Sequence, residues 1–248
     1  MLGPRPPILA LFSVAGGVGK TCLVATLGRA LAALGENVLL ADTAASSLLP
    51  MYFGARDAKQ GQVRTFSRPG AKDDAPVHLL SLQADRYPGD GGEQDLLLNE
   101  LLRSGRGSGR ILVDVATGNR AVTNRLMQLR PTVLVPLLPD MSSLACLSLL
   151  EAMLEDADTF YLLNQFDPAS QLHLDTHEIL RNKLGNRLLP FVVRRGVAVS
   201  EALAEGLTVI DYAPGSAAAE DYWSLAAWLR NFAASADLSY GGVRWSER

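Results

Sequence analysis

Unbroken apolar runs alternate with amphipathic segments along nearly the whole chain. Ile8–Val14, Asn37–Ala41, Val77–Leu82, Arg110–Val115, Thr132–Leu137, Thr159–Asn164 and Leu188–Val193 read as strands. Several are continuous Val, Leu and Ile rather than in/out alternations, as expected of parallel strands covered on both faces. Helical spacing fills the gaps at Lys20–Leu34, Glu93–Arg103, Ala121–Leu129, Ser142–Leu154, Asp175–Leu184, Ser200–Glu205 and Ala217–Ala233. This alternation requires right-handed crossovers and predicts an α/β fold, a doubly wound, mostly parallel sheet with helices on both faces. A ligand site in such a sheet lies at the carboxyl ends of the strands. The polar, Gly- and Pro-containing stretches 57–76 and 86–92 read as loops, too short to separate domains. Residues 1–234 are expected to form one domain and 235–248 a partly disordered tail.

Composition narrows the class. The chain has 248 residues, 48% of them hydrophobic, enough to bury one sizeable core. A net charge of -3 argues against a nonspecific nucleic-acid binder. Arg181, Lys183, Arg187, Arg194 and Arg195 read as a solvated basic face, and DNA is not an expected partner. Cys22 and Cys146 stand far apart in apolar contexts, as free thiols do in a reducing cytoplasm. Ile8–Val14 is too short for a signal peptide, and no apolar run reaches the length of a membrane span. Autonomous membrane insertion is therefore not expected. His173 and His177 can share a helix face, yet no third metal ligand accompanies them.

The chemistry concentrates after the first strand, in LALFSVAGGVGKTCLVATLG, Leu9 to Gly28. Gly16, Gly17 and Gly19 let backbone amides turn inward toward phosphate. Lys20 then reaches the β- and γ-phosphates, and Thr21 places its hydroxyl on Mg²⁺. The following helix points its positive end at the same spot. Asp42 and Asp114 close two further strands, where a capping or turn residue is the plain reading. Asn164 ends another strand, where a turn residue is the plain reading.

The loop resembles the deviant Walker A of the ParA/MinD family of P-loop ATPases, whose core reads KGGVGKTT. Three further stretches match the family in order: NVLLAD (Asn37–Asp42), RILVDVATG (Arg110–Gly118) and VAVSEALAEGLTV (Val197–Val209). The likeness spans about residues 8 to 232. It implies ATP or ADP with Mg²⁺ as cofactors and a homodimer around nucleotide. Carried over residue by residue, Gly16, Gly17, Val18, Gly19, Lys20, Thr21 and Cys22 would surround the phosphates. Asn164 and Arg194 would lie on the adenine side. Thr21, Asp42 and Asp114 would serve the metal, and Lys20, Asp42 and Asp114 the chemistry.

Departures from the family pattern sharpen the expectation. Ala15 replaces the signature lysine, which in the family crosses the dimer to the partner's nucleotide. Ala44 replaces the second aspartate of D-x-D, and Arg194-Arg195 stands where a proline is usual. Binding parts are kept and transition-state parts are lost, a change that typically costs about 10³ to 10⁵ in rate. ATP binding with slow or absent turnover follows. Glu36–Gly54 and Glu201–Leu229, with Ala-Ala-Glu-Asp before a Trp-bearing helix, resemble the cellulose-biosynthesis branch of the family, BcsQ. That resemblance implies a cytoplasmic regulator peripheral to the inner-membrane cellulose synthase complex, partnered by a small accessory subunit. The alternative is a partition- or positioning-type ATPase acting on DNA or membrane.

Overall fold

The computed structural model describes residues 7–55, 61–83 and 94–240. The loop expected at 86–92 and the end of the tail, 241–248, lie outside the described residues. In chain order the strands are β1 (Ile8–Leu11), β2 (Val38–Asp42), β3 (Val63–Phe66), β4 (Val77–Ser81), β5 (Arg110–Asp114), β6 (Thr132–Leu137), β7 (Asp158–Phe166) and β8 (Leu188–Arg194). The helices are α1 (Lys20–Ala33), α2 (Gln94–Ser104), α3 (Arg120–Met127), α4 (Met141–Met153), α5 (Gln171–Leu184), α6 (Val197–Ala204), α7 (Val209–Tyr212) and α8 (Ala217–Tyr240).

The strands form one sheet ordered β3-β4-β2-β5-β1-β6-β7-β8, parallel throughout except for β3 against β4. Successive side chains of each strand feed opposite cores. Leu9, Leu11, Leu40 and Leu112 pack with Leu23 and Leu27 of α1 and Tyr222 and Leu225 of α8. Ile8, Ala10, Leu39 and Ile111 pack with Leu97, Val122, Leu147 and Leu180 from α2, α3, α4 and α5. This is why the strands read as unbroken apolar runs, since both faces are buried. Gly28 allows α1 to lie close on β2, because a Cβ there would sit 2.4 Å from Leu40 Cδ2.

Several elements depart from the pattern-based expectation. β3 lies within the expected loop 57–76. Its side chains are exposed or half-buried, so hydrophobic patterning carries little trace of it. It holds the sheet edge by pairing with β4 and by stacking Phe66 on Phe53 at 5.3 Å. α5 begins at Gln171, ahead of the expected Asp175. The backbone of α8 continues to Tyr240, beyond the expected Ala233. α7, a single turn, was not expected.

Candidate functional site

β1 lies between β5 and β6, where the winding reverses, and the chain leaves its carboxyl end directly into the glycine-rich loop. Gly17 and Gly19 adopt φ of 76° and 87°, and Gly19 is the N-cap of α1. No side chain caps the first turn of α1, leaving its amides the arrangement that receives an anion. A Cβ on Gly19 would sit 2.5 Å from Asn164 Nδ2, so conformation and space both demand glycine.

Lys20 is buried at 9% exposure, and its Nζ donates to Ser13 Oγ (2.8 Å) and Thr117 Oγ1 (2.7 Å). Thr21 Oγ1 donates to Asp114 Oδ2 at 2.5 Å. The β2–β5 register sets Asp42 beside Asp114. Asp42 accepts from the Ala44 amide (2.7 Å) and from the Ser47 hydroxyl. Thr43 ties the two strand ends together: its Oγ1 donates to the Asp114 carbonyl (3.0 Å) and accepts from the Ala116 amide (2.7 Å).

Two buried carboxylates with one buried ammonium leave the site short of positive charge. Burial, then the neighbouring Asp42, pushes the Asp114 carboxyl up to about 6, against the pull of Thr21 and Lys20. Burial also raises Asp42, opposed by the Ser47 hydroxyl, the Ala44 amide and Lys20. Burial lowers Lys20, opposed by Asp114 and then Asp42. The Thr21 hydroxyl and the two carboxylates are hard oxygen donors suited to Mg²⁺. Among the described residues no group of three or more His, Cys, Asp or Glu could hold a metal alone. A cation here needs water and ligand oxygens to complete its shell, the usual condition of Mg²⁺ at phosphates.

Asn164 is 4% exposed and donates from Nδ2 to the Val18 carbonyl at 2.7 Å. Next to it, Gln165 takes φ 56° at an irregularity in the β7–β8 register and reaches the Gly17 carbonyl at 3.1 Å. Both side chains therefore brace the loop from β7. Cys22 turns its thiol to the Tyr222 hydroxyl at 3.3 Å, and burial raises its pKa. Arg194, expected on the adenine side, is engaged by protein groups. Its Nε and Nη2 grip the two Asp221 oxygens at 2.8 Å each, and Nη2 reaches the Ala217 carbonyl at 3.0 Å. It is a clamp between β8 and α8. His173 accepts the Asp167 amide at 2.9 Å. Ala15 is exposed and Ala44 half-buried, with no side-chain group beyond a methyl.

Sequence reasoning missed Ser13, Thr43, Ser47, Thr117 and Gln165. Hydroxyls at strand ends are common, and only their place beside the loop and the two aspartates marks these. The Lys20 contact to Ser13 lies within the loop stretch itself, but that to Thr117 spans a sequence separation of 97, beyond any local motif.

The family described as Cellulose biosynthesis protein BcsQ matches residues 7–80 and 93–229. A Cellulose biosynthesis protein BcsQ from Salmonella typhi is 30% identical over 96% of this chain and 99% of its own. Among solved structures, the cell division ATPase MinD of Pyrococcus furiosus superposes with TM-score 0.70 at 20% identity, covering 91% of this chain and 99% of its own. The septum site-determining protein MinD of Pyrococcus horikoshii, complexed with Mg-ADP, gives 0.68 at 20% identity, covering 92% and 97%. At that identity the structures establish the shared fold, a MinD/ParA-type P-loop architecture. The family match over most of the chain establishes more: this chain belongs to the BcsQ family of cellulose biosynthesis proteins.

Proposed function

We propose that this protein is an ATP-binding regulatory subunit of bacterial cellulose biosynthesis, a nucleotide-dependent dimeric scaffold with weak or no hydrolysis. One observation carries the reading. The loop, Lys20, Thr21 and Asp114 form a connected hydrogen-bonded site, while methyl groups stand at Ala15 and Ala44 beside it. In this reading the amides from Gly16 to Cys22 cradle the phosphates, and Lys20 exchanges Ser13 and Thr117 for β- and γ-phosphate oxygens. Thr21 and Asp114 orient the Mg²⁺ shell, and Asp42 holds water on the phosphate side. Bound Mg²⁺ neutralises charge on the phosphate oxygens. The fold neighbour crystallised with Mg-ADP supports this choice of ligand.

Ala15 carries no charge to a partner's nucleotide, and Ala44 offers no carboxylate to an attacking water. The site thus favours holding over turnover, which suits a scaffold that signals by its assembly state. By family, its partners are a second copy, a small accessory subunit and the inner-membrane cellulose synthase complex, which it would meet from the cytoplasm. Among the described residues no helix is long and apolar enough to cross a membrane, so contact with that complex would run through protein.

The test is nucleotide content, mass with and without ATP, and turnover of the purified protein with Mg²⁺. Expected are bound nucleotide, a doubling of mass with ATP, and turnover far below one per second. Turnover near one per second refutes the holding site, and unchanged mass refutes the switch. Lys20→Ala removes the buried ammonium and should lose the nucleotide; retention by that variant refutes the loop assignment. Steeply salt-dependent duplex binding would favour a partition-type role instead.

A further inference from the structure

Lys20 is held by two hydroxyls, and each borders a cleft. A cleft of about 540 Å³ runs from Ala44 and Ala45 past Thr117 to Arg120. A second, of about 200 Å³, runs from Ser13 and Val14 past Asn119 to the same Arg120. Among the described residues Arg120 is the charged side chain lining either one. It is exposed, and among those residues it forms no ion pair and no side-chain hydrogen bond. The contrast with Arg29, Arg110 and Arg194 is clear, since each of these is paired with a carboxylate.

Local structure fixes where Arg120 stands. Gly118 turns the chain at φ 84°, and the Asn119 side chain accepts the Val122 amide at 3.1 Å, so α3 starts at Arg120. That start follows directly from Asp114 at the end of β5, the strand whose register partner is Asp42. Ala44 and Ala45 line the same cleft as Arg120 with short side chains, and Thr117, the hydroxyl to which Lys20 donates, lines it too. The site already places two buried carboxylates against one ammonium, and a terminal phosphate would deepen the deficit of positive charge. A guanidinium suits that position because its planar fork matches phosphate oxygens and keeps its charge.

We propose that Arg120 contacts the terminal phosphate of the nucleotide bound in its own chain, supplying the positive charge that Ala15 lacks. This rests on reading the site as a nucleotide site, and the experiment separates the two claims. ATP and ADP affinities with Mg²⁺ are measured by calorimetry for the unaltered protein, Arg120→Ala, Arg120→Lys and Lys20→Ala. Thermal melts of the same samples check folding, which an exposed, unpaired side chain should not disturb. Arg120→Ala should weaken ATP by about tenfold or more while leaving ADP little changed, since one charge-assisted contact is lost. Arg120→Lys should recover part of that loss, and Lys20→Ala should weaken both nucleotides. An unchanged ATP-to-ADP affinity ratio in Arg120→Ala overturns the role of Arg120 and leaves the site reading intact. Failure of the unaltered protein to bind either nucleotide overturns both.

Discussion

Replacing Asp114 by asparagine measures what the candidate site costs the fold. Asp114 is 5% exposed, and its carboxyl rises from 3.8 to about 6, first through burial and then through Asp42. The folded state thus holds this proton more tightly than the unfolded chain does. Stability from this group is present at low pH, falls as pH climbs from about 4 to about 6, and is level above that. At 1.36 kcal/mol for each tenfold change, a rise from 3.8 to about 6 amounts to about 3 kcal/mol. Asparagine keeps Oδ1 as an acceptor for the Thr21 hydroxyl and removes the charge. Asp114→Asn should therefore stabilise the nucleotide-free, metal-free protein by about 1–3 kcal/mol at pH 8, and by under about 1 kcal/mol at pH 4. The assay is urea unfolding in EDTA at a series of pH values between these limits. The same variant should lose any stabilisation that Mg²⁺ and nucleotide give the parent protein. Destabilisation at pH 8, or a gain that does not change with pH, would show that the carboxylate is not held at a cost.

Other consequences follow from the same geometry. Gly19→Ala forces a side chain into φ 87° and against Asn164, so it should cost about 1–3 kcal/mol in unfolding assays and abolish nucleotide retention. Asn164→Ala leaves the buried Val18 carbonyl without its partner; a loss of about 1–3 kcal/mol and weaker retention should appear together. Arg194→Ala removes a surface clamp and should cost at most about 1 kcal/mol, with nucleotide affinity unchanged. A large affinity loss in that last variant would return Arg194 to the ligand.

The sheet, most of its helices and the loop were legible because each rests on local signals. Parallel strands buried on both faces leave apolar runs, and the glycines and Lys20 form a compact motif in a strand–loop–helix setting. β3 was not legible: a short edge strand shows half its side chains to solvent, and its pairing with β4 is a tertiary fact. Asn164 was found by its position at a strand end, but its bond to Val18 lies 146 residues away and is not encoded locally. The partners of Arg194 were not legible for a related reason. A basic residue after a late strand looks available in sequence, whereas Asp221 and the first turn of α8 claim it in the fold.

The distribution of kept and lost groups has a physical cause. Lys20, Thr21, Asp42 and Asp114 end strands or open α1, and their side chains are bonded to one another or to neighbours fixed by the sheet. Removing Thr21 leaves the buried Asp114 carboxyl without its hydroxyl partner, which costs about 1–3 kcal/mol or more, whereas the partners of Lys20 and Asp42 are exposed, half-buried or bonded elsewhere. Against that loss stands the cost of burying charge on Lys20, Asp42 and Asp114, so folding alone does not favour these groups. Ala15 is exposed, and Ala44 contributes to the site through its amide, which any residue but proline supplies. Truncating a side chain at either place leaves no buried group orphaned and opens no core cavity. On the proposed reading, the groups that would hold a nucleotide are tied to fixed neighbours, whereas Ala15 and Ala44 stand where the fold is indifferent to side-chain length. Arg120 is likewise exposed. A charge there can be gained or lost without disturbing the sheet, so the proposed preference for a terminal phosphate would be tuned at the rim of the two clefts while the buried site stays constant.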